Sequence, residues 1–536
     1  MKEFCIIIPA IKKNAVIPDQ LVKKLNGETL IQRAINVSKD IISNENIYII
    51  TDSQEISLIA ERNSINCHHD SNLNVSSSYI LKSLDFIFDK LSERYSFFFL
   101  HRANAPLVNS KIIKDAINYF KKNDDKLVVS VKKEKRRVFK TDNGDLNSLF
   151  IDEKSSYYEE VNAFQISKFI SLKSIHTITL PYILKPEIAI EIDGYQSWWI
   201  CEKILKRKKI VFNVIGSIEV GMGHIYRALS IAHEITDHEV IFVCDEKHEI
   251  VVEKIASTDY KVTSCKKSDI TDFIISQEPD LVINDILNSQ KVDILKFKDR
   301  DIRVVNFEDI GSGSQYTDLT INELYESPIL DGSNYLWGND YFFLRDEFSD
   351  AKPHSILESI NSVLITFGGT DQNNLSKHVL ELIIPVCKDS GIKIYVVCGP
   401  GYSHKVELES FIQSQDYKDI EFTYSSGVIS KIMEKTQLAI SSNGRTVYEL
   451  ADMNIPSIII SHHKREDTHK FATLNRGFIY LGVYKGAETN ESLKENFLKL
   501  IENDSFRKSL FKNITKYSFR DNKSKVLNKI LSLIEN

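Results

Sequence analysis

The stretch Gly221-Met222-Gly223-His224-Ile225-Tyr226-Arg227 decides how the longer part of this chain is read. It follows an apolar run, Ile210 to Ile215, and opens a helical pattern ending near Ile235, which makes a strand, a glycine turn and a helix. Such a turn leaves backbone N–H groups free at a helix N-terminus, where hydrogen bonding and the helix dipole both favour a phosphate. His224 adds an imidazole at the same place, and a histidine beside a phosphate site points to chemistry on a sugar nucleotide. Alone the glycines say little, because any strand-to-helix turn uses them for positive φ or close packing.

Two more junctions strengthen the signal. Ser362 to Phe367 reads as a buried strand running into Gly368-Gly369-Thr370-Asp371, and Gln437 to Ser441 as another running into Asn443-Gly444-Arg445-Thr446-Val447-Tyr448-Glu449. Glu239 to Cys244, Leu281 to Asn284 and Ile302 to Phe307 extend the first sheet, while Lys393 to Cys398 and Ser457 to Ser461 extend the second. Short apolar runs alternating with helical patterns mark parallel α/β layers. Leu344-Arg345-Asp346-Glu347-Phe348 and the polar Ser349 to Ser355 mark the link between two lobes. Two facing Rossmann-like lobes place their strand C-termini across one cleft, so the three glycine turns are expected to face one cavity.

The order Gly-x-Gly-His-x-x-Arg, Phe-Gly-Gly-Thr-Asp and Gly-Arg-Thr-x-Tyr-Glu followed by Pro456 resembles the UDP-2,4-diacetamido-2,4,6-trideoxy-β-L-altropyranose hydrolase of pseudaminic acid synthesis. Its relatives include the GT-B glycosyltransferases that build lipid II. The resemblance implies a GT-B pair of lobes, 209–350 with the histidine and 351–536 with the UDP site, acting on a UDP-sugar without a cofactor. His224 then removes a proton from the water that attacks the anomeric carbon. Gly221, Gly223 and Arg227, with Gly368, Gly369, Asn443, Gly444, Arg445 and Thr446, are expected at the UDP, their turns meeting the diphosphate without a metal. Glu449 lies about one helical turn beyond Arg445, and the resemblance gives it the ribose hydroxyls. Asp285 is expected near the sugar ring, as are Asn284, Asn306, Glu308 and Asp309. The group His462, His463, Lys464, Arg465, Glu466 and His469 is expected at the sugar or the diphosphate. A glycosyltransferase, with His224 deprotonating an acceptor hydroxyl, is the alternative on the same residues.

The first part of the chain carries strand patterns at Cys5 to Pro9, Asn46 to Thr51, Ser96 to His101 and Lys126 to Val131, and helical patterns at Leu30 to Ile42, Tyr79 to Leu91 and Ser110 to Lys121. A basic run from Lys203 to Lys209 follows the aromatic helix around Trp198 and Trp199 and reads as a solvated hinge near 208, closing a domain of residues 1–208. Ile6-Ile7-Ile8-Pro9-Ala10, Leu25-Asn26-Gly27-Glu28-Thr29-Leu30-Ile31, Thr51-Asp52, Ala105-Pro106-Leu107 and the pair Glu191 and Asp193 resemble the CMP-sialic acid synthetase family of cytidylyltransferases. That resemblance implies a GT-A-like nucleotidyltransferase taking CTP and a nonulosonic acid. Its Mg²⁺ would sit on Glu191 and Asp193, alternate residues that share one face of an extended segment.

The departures matter. Gln20 stands where the family has a phosphate-binding lysine, which leaves Lys12, Lys13, Lys23 or Lys24 to substitute beside Asp52, and Arg102-Ala103-Asn104 replaces the family's Gln-Pro-Thr. The domain is therefore either a divergent cytidylyltransferase or a silent nucleotide-binding or docking module.

Bulk properties agree with an α/β protein made of a Rossmann-like nucleotidyltransferase followed by a GT-B pair. The 536 residues suit about three lobes, and a net charge of −6 argues against a nucleic-acid partner. No run of about 18 apolar residues appears, and Met1-Lys2-Glu3-Phe4-Cys5 enters a strand at once, so a cytoplasmic chain without membrane insertion is expected, as a monomer or a homo-oligomer. The seven cysteines form no Cys-x-x-Cys pair and read as reduced core thiols. Cys67-His68-His69-Asp70 has zinc-type residues, but adjacent side chains rarely converge on one ion.

Overall fold

A computed structural model describes residues 2–13, 17–73, 84–123, 126–134, 139–142, 145–148, 157–170, 178–216, 221–355, 359–424 and 427–535. The chain forms two compact units, Met1–Arg207 and Lys208–Asn536. The boundary falls inside the basic run, whose last residues are tied into the second unit. Lys208 Nζ lies 3.2 Å from Asp280, and Lys209 opens a strand while its N–H donates to the same carboxylate at 2.8 Å.

The first unit is a seven-stranded sheet in the order Thr179–Ile183, Leu127–Glu134, Tyr157–Lys168, Tyr95–His101, Lys2–Ala10, Ile47–Thr51, Asn66–His69. Cys5 to Ala10 is buried without alternation, as expected of a central parallel strand covered on both faces. Helices Leu30–Lys39 and Ser110–Lys122 pack on one face through Ile31, Ile35, Ile113, Ile117 and Phe120. Helix Asp85–Ser92 packs on the other through Ile87, Phe88 and Leu91, while residues 79–83 of the expected Tyr79–Leu91 helix lie outside the described residues. Sequence reasoning missed Tyr157–Lys168, which runs antiparallel to both neighbours with its register broken between Glu160 and Gln165. That irregularity erases the period-two pattern by which a strand is recognised.

The second unit holds two all-parallel sheets. In the first lobe the order is Val262–Cys265, Glu239–Asp245, Lys209–Val214, Leu281–Asp285, Arg303–Phe307, Leu319–Asn322, Tyr335–Trp337. In the second it is Ile420–Tyr424, Lys393–Cys398, Ser362–Thr366, Leu438–Ser442, Ser457–Ser461, Phe478–Val483. In each lobe the first strand lies between the second and the fourth, so chain order reverses there and leaves a crevice at the strand C-termini. The turn with His224 and the end of strand Leu281–Asp285 flank one such point. The Gly368 turn and the Asn443 turn flank the other.

Two expectations need correction. The last helix, Asn522–Leu531, returns to the first lobe, where Val526, Ile530 and Ile534 join the core of Ile210, Phe212 and Phe242. Their spacing of four makes one apolar stripe that must be buried, so residues 351–536 are not one lobe to their end. The expected linker is also no free strap, because Leu344, Phe348 and Ala351 are buried in the second-lobe core. All seven cysteines are free. Burial pushes the Cys244 thiol up to about 11 and the Cys387 and Cys398 thiols to about 12, which suits inert core residues. Among the described residues no helix is long and apolar enough to cross a membrane.

Candidate active site between the two lobes

A cavity of about 300 Å³ opens between the lobes, and all three glycine turns line it. Glycine lets the two backbones approach this closely. A Cβ on Gly369 would lie 3.2 Å from Met222 Cγ and one on Gly223 3.3 Å from Arg445 Cδ, while Gly221 and Gly368 hold φ of 86° and 77°. His224 sits on the first turn of helix Gly223–Glu234 and faces this cavity.

The imidazole is oriented from behind. His224 Nδ1 lies 2.5 Å from Asp285 Oδ1. A bare nitrogen lone pair would repel a carboxylate at that distance, so Nδ1 carries the hydrogen and donates it, leaving Nε2 as the basic atom of the neutral ring. Arg227, one helical turn on and 0% exposed, clamps the other side of Asp285 with Nε at 2.7 Å and Nη2 at 2.5 Å. It also donates to Glu308 at 2.8 Å and to Glu323. Burial would raise the Asp285 and Glu308 carboxyls, but the Arg227 guanidinium, foremost among nearby charges, outweighs it and holds both below the usual carboxylate range. Arg227 in turn keeps its proton against burial because three carboxylates surround it. Two sequence expectations change here. Neither Arg227 nor Asp285 lines the cavity, since Asp285 is taken up by Arg227 and His224, and Arg227 by Asp285, Glu308 and Glu323. Asn284 and Asn306 are likewise turned inward, in a buried chain of amides from Asn213 through Asn284 and Asn306 to Asp309 with links of 2.9, 2.9 and 2.5 Å.

The second lobe supplies the opposite wall. Gly368, Gly369, Gly444, Arg445 and Thr446 line the cavity as expected residues do, and so do Glu449, His462, His463, Arg465, Glu466 and His469. The Glu449 carboxylate is gripped by Arg345, with Nε at 2.7 Å and Nη2 at 3.1 Å, and that guanidinium also stacks 5.2 Å over the Tyr226 ring. Asn443 does not reach the cavity: its amide donates to the carbonyls of Glu466 at 2.7 Å and His469 at 3.0 Å, stapling that loop to its strand. His469, 7% exposed, donates from Nδ1 to Asn443 O at 2.9 Å, and its Nε2 has no hydrogen bond among the described residues and lies 3.9 Å from Glu308.

Sequence reasoning missed Glu323 and the partnering role of Arg345. Glu323 is the first residue after strand Leu319–Asn322, a strand of four residues with too short a pattern to recognise. Arg345 was visible only as part of a presumed linker.

Metal binding has one candidate among the described residues, the group His224, Asp285 and Glu308, whose ligand atoms lie within 4.8 Å of one another. Arg227 already donates to both carboxylates, so a cation there would have to displace a buried guanidinium. Cys67-His68-His69-Asp70 forms no such group among the described residues.

In the first unit the expected residues are dispersed. Asp52 accepts from the backbone N–H of Lys12 at 2.7 Å and of Lys13 at 3.1 Å, fixing the turn after the first strand. Lys12 Nζ is held by Glu55 at 2.7 Å and Asp19 at 2.9 Å, and these contacts raise its pKa. Lys13 Nζ donates to Ser71 O, and Lys23 is exposed. Gln20 is buried and structural: its carbonyl accepts from Ile17 N–H at 3.2 Å and its amide donates to Ile192 O at 3.1 Å. The carboxylates of Glu191 and Asp193 are engaged separately. Glu191 accepts from Asn104 at 2.5 Å and Asn162 at 2.9 Å, while Asp193 accepts from the Ser197 hydroxyl at 2.8 Å at a helix start.

Residues 5–189 match the profile of the cytidylyltransferase family. An uncharacterized protein of Methanocaldococcus jannaschii is 31% identical over 270 residues, which are 47% of this chain and 55% of that one, so the chain spans about half the length of this relative. Among solved structures, Acinetobacter baumannii MurG superposes with a TM-score of 0.46 at 12% identity, over 61% of this chain and 99% of its own. A CMP:2-keto-3-deoxy-manno-octonic acid synthetase complexed with CTP superposes with a TM-score of 0.30 at 11% identity, over 38% of this chain and 98% of its own. The chain joins an N-terminal cytidylyltransferase domain to a second module of two parallel, Rossmann-like sheets that face one cavity.

Proposed function

We propose that the two-lobe unit hydrolyses a UDP-sugar of the pseudaminic type, releasing UDP by attack of water at the anomeric carbon. The observation that carries this reading is the hydrogen bond from His224 to Asp285, which makes Nε2 the basic atom of a neutral imidazole at a cavity walled by three glycine turns. In this scheme water adds to the anomeric carbon as the bond to the diphosphate oxygen breaks, the bond pair leaves with UDP, and the water proton passes to Nε2. Backbone N–H groups at Gly368-Gly369 and Gly444-Arg445-Thr446 receive the diphosphate charge. Glu449 keeps lone pairs beyond those given to Arg345, and these serve the ribose hydroxyls. Seven free thiols, with Cys67 exposed and five of the others buried, accord with a reducing, cytoplasmic setting.

For the first domain we propose a divergent cytidylyltransferase-type role in the same branch of nucleotide-sugar metabolism. Glu191 and Asp193 are hard oxygen donors of the kind that hold Mg²⁺, and the cation would neutralise a nucleoside triphosphate there. The phosphate side is the divergent part, because Gln20 is sealed inward and Lys12 is held by two carboxylates. The deciding experiment incubates the full chain with a panel of UDP-sugars in water and measures UDP release. Release that needs no acceptor supports hydrolysis; release that appears only with an acceptor sugar replaces it by glycosyl transfer.

A further inference from the structure

Glu323 is 0% exposed, and one of its oxygens accepts from two arginines belonging to opposite lobes. Arg227 approaches from the His224 helix. Arg445 approaches from the Gly444-Arg445-Thr446 turn of the second lobe, with Nη1 at 2.7 Å. The other oxygen, Oε2, is buried without a hydrogen bond among the described residues.

Asp285 and Glu308 occupy Nε and Nη2 of Arg227, and Glu323 takes the remaining nitrogen, Nη1, while also accepting from the opposite lobe. A buried charge is weak evidence of stability, because desolvation offsets most of its attraction. Its better-attested use is to fix register between elements, and Glu323 lies where register between the lobes is set.

Arg445 has little freedom to serve anything else. Its Nη2 donates to Phe343 O at 2.8 Å, its guanidinium lies 4.4 Å over the Phe342 ring, and its stem crosses Gly223, the residue before His224. An unbroken path therefore runs from the second-lobe turn through Arg445, Glu323, Arg227 and Asp285 to His224 Nδ1.

We propose that Glu323 and Arg445 are positioning residues that couple a nucleoside diphosphate at the Gly444-Arg445-Thr446 turn to His224, so that seating the nucleotide tightens the hold on an imidazole already oriented by Asp285. The proposal rests on the assignment of His224 as the base. It keeps the expected backbone role of Arg445 at the diphosphate and adds one for its side chain, which is tied to Glu323 and to Phe343 O.

The test uses the full chain labelled with ¹⁵N-histidine and UDP as the probe. In the wild type, saturating UDP shifts the His224 ring resonances. In Glu323→Gln and Arg445→Met that response disappears, UDP affinity stays within about threefold, and the rate of UDP release falls about 10²-fold, the scale of an ångström-sized misplacement. Arg445→Lys keeps a cation against Glu323 and restores most of the response, and the comparison of lysine with methionine carries the test should Glu323→Gln not fold. A His224 signal indifferent to UDP in the wild type overturns the coupling. So does a tenfold or greater loss of UDP affinity in Arg445→Lys, which would make the side chain a direct ligand of UDP. A wild type that responds to UDP but turns over no UDP-sugar removes the hydrolase reading and leaves the coupling standing.

Discussion

The two units treat their ionisable residues in opposite ways. Behind His224 the charged groups are buried together: Asp285, Glu308 and Glu323 all accept from Arg227 away from solvent. In the first unit Lys12, Asp19 and Glu55 meet near the surface, and Glu191 is held by two neutral amides. Surface pairs of the Lys12 kind contribute at most about 1 kcal/mol and rearrange easily. The difference teaches where geometry is fixed in advance: a site that must aim one nitrogen needs a buried scaffold behind it, and among the described residues only the two-lobe unit has one.

The sharpest way to break this contrast is to remove the aimed nitrogen. His224→Ala is expected to slow UDP release by roughly 10²–10⁴-fold with UDP affinity nearly intact, because the diphosphate is met by the glycine turns. A mutant as fast as the wild type would sink the assignment.

Arg227→Leu comes next, since it removes the buried cation shared by three carboxylates and leaves Asp285 to His224 and Glu323 to Arg445. A stability loss of about 3–5 kcal/mol in denaturant unfolding of the second unit is expected, whereas Lys12→Leu should change the first by less than about 1 kcal/mol. Equal losses would erase the distinction between the units.

Glu449→Ala is expected to weaken UDP binding by about 1–3 kcal/mol, the cost of a charged hydrogen bond, while Arg345 keeps Glu347 as a partner. Calorimetry showing unchanged affinity would make Glu449 a partner of Arg345 alone.

Acid offers a graded version. Asp285 and Glu308 titrate lower when folded than when unfolded, so they stabilise the second unit above ordinary carboxylate values near 3.8 and 4.5 and lose that contribution as pH falls through their depressed folded values. The urea midpoint of the second unit should therefore drop below about pH 4 in the wild type and drop less in Asp285→Asn. Parallel curves would falsify the linkage.

The smallest expected effect is none at all: excess EDTA should leave UDP release untouched, because Arg227 occupies the carboxylates a cation would need. Any pyrophosphate release from CTP should vanish under the same chelator. Gln20→Lys, compared with the wild type on CTP, Mg²⁺ and a nonulosonic acid, then tells whether the missing lysine limits the first domain.

Much of the fold was legible. The strands Lys393–Cys398 and Ser457–Ser461 occupy the very residues their apolar runs mark, and the three strand–turn–helix junctions stand at Gly221, Gly368 and Gly444. What escaped was short, bulged or distant. Leu319–Asn322 is too brief to show a period, Tyr157–Lys168 has its alternation broken, and the helix Asn522–Leu531 gives no local sign of the lobe it joins.

The same division runs through the site. Sequence alone determined that an imidazole follows a glycine turn at a helix start, that two more glycine turns occur in the chain, and that a cytidylyltransferase-like segment precedes them. These are local facts, set by residue type and spacing within a few positions. Tertiary structure decided which side chains meet the cavity and which stand behind it. Arg227 and Asp285 are 58 residues apart, and Arg445 and Glu323 are 122 apart, so no local pattern records that they spend their polar atoms on each other. A side chain's direction is fixed by its partners as much as by its own backbone, and those partners arrive only when the sheets have stacked and the lobes have closed.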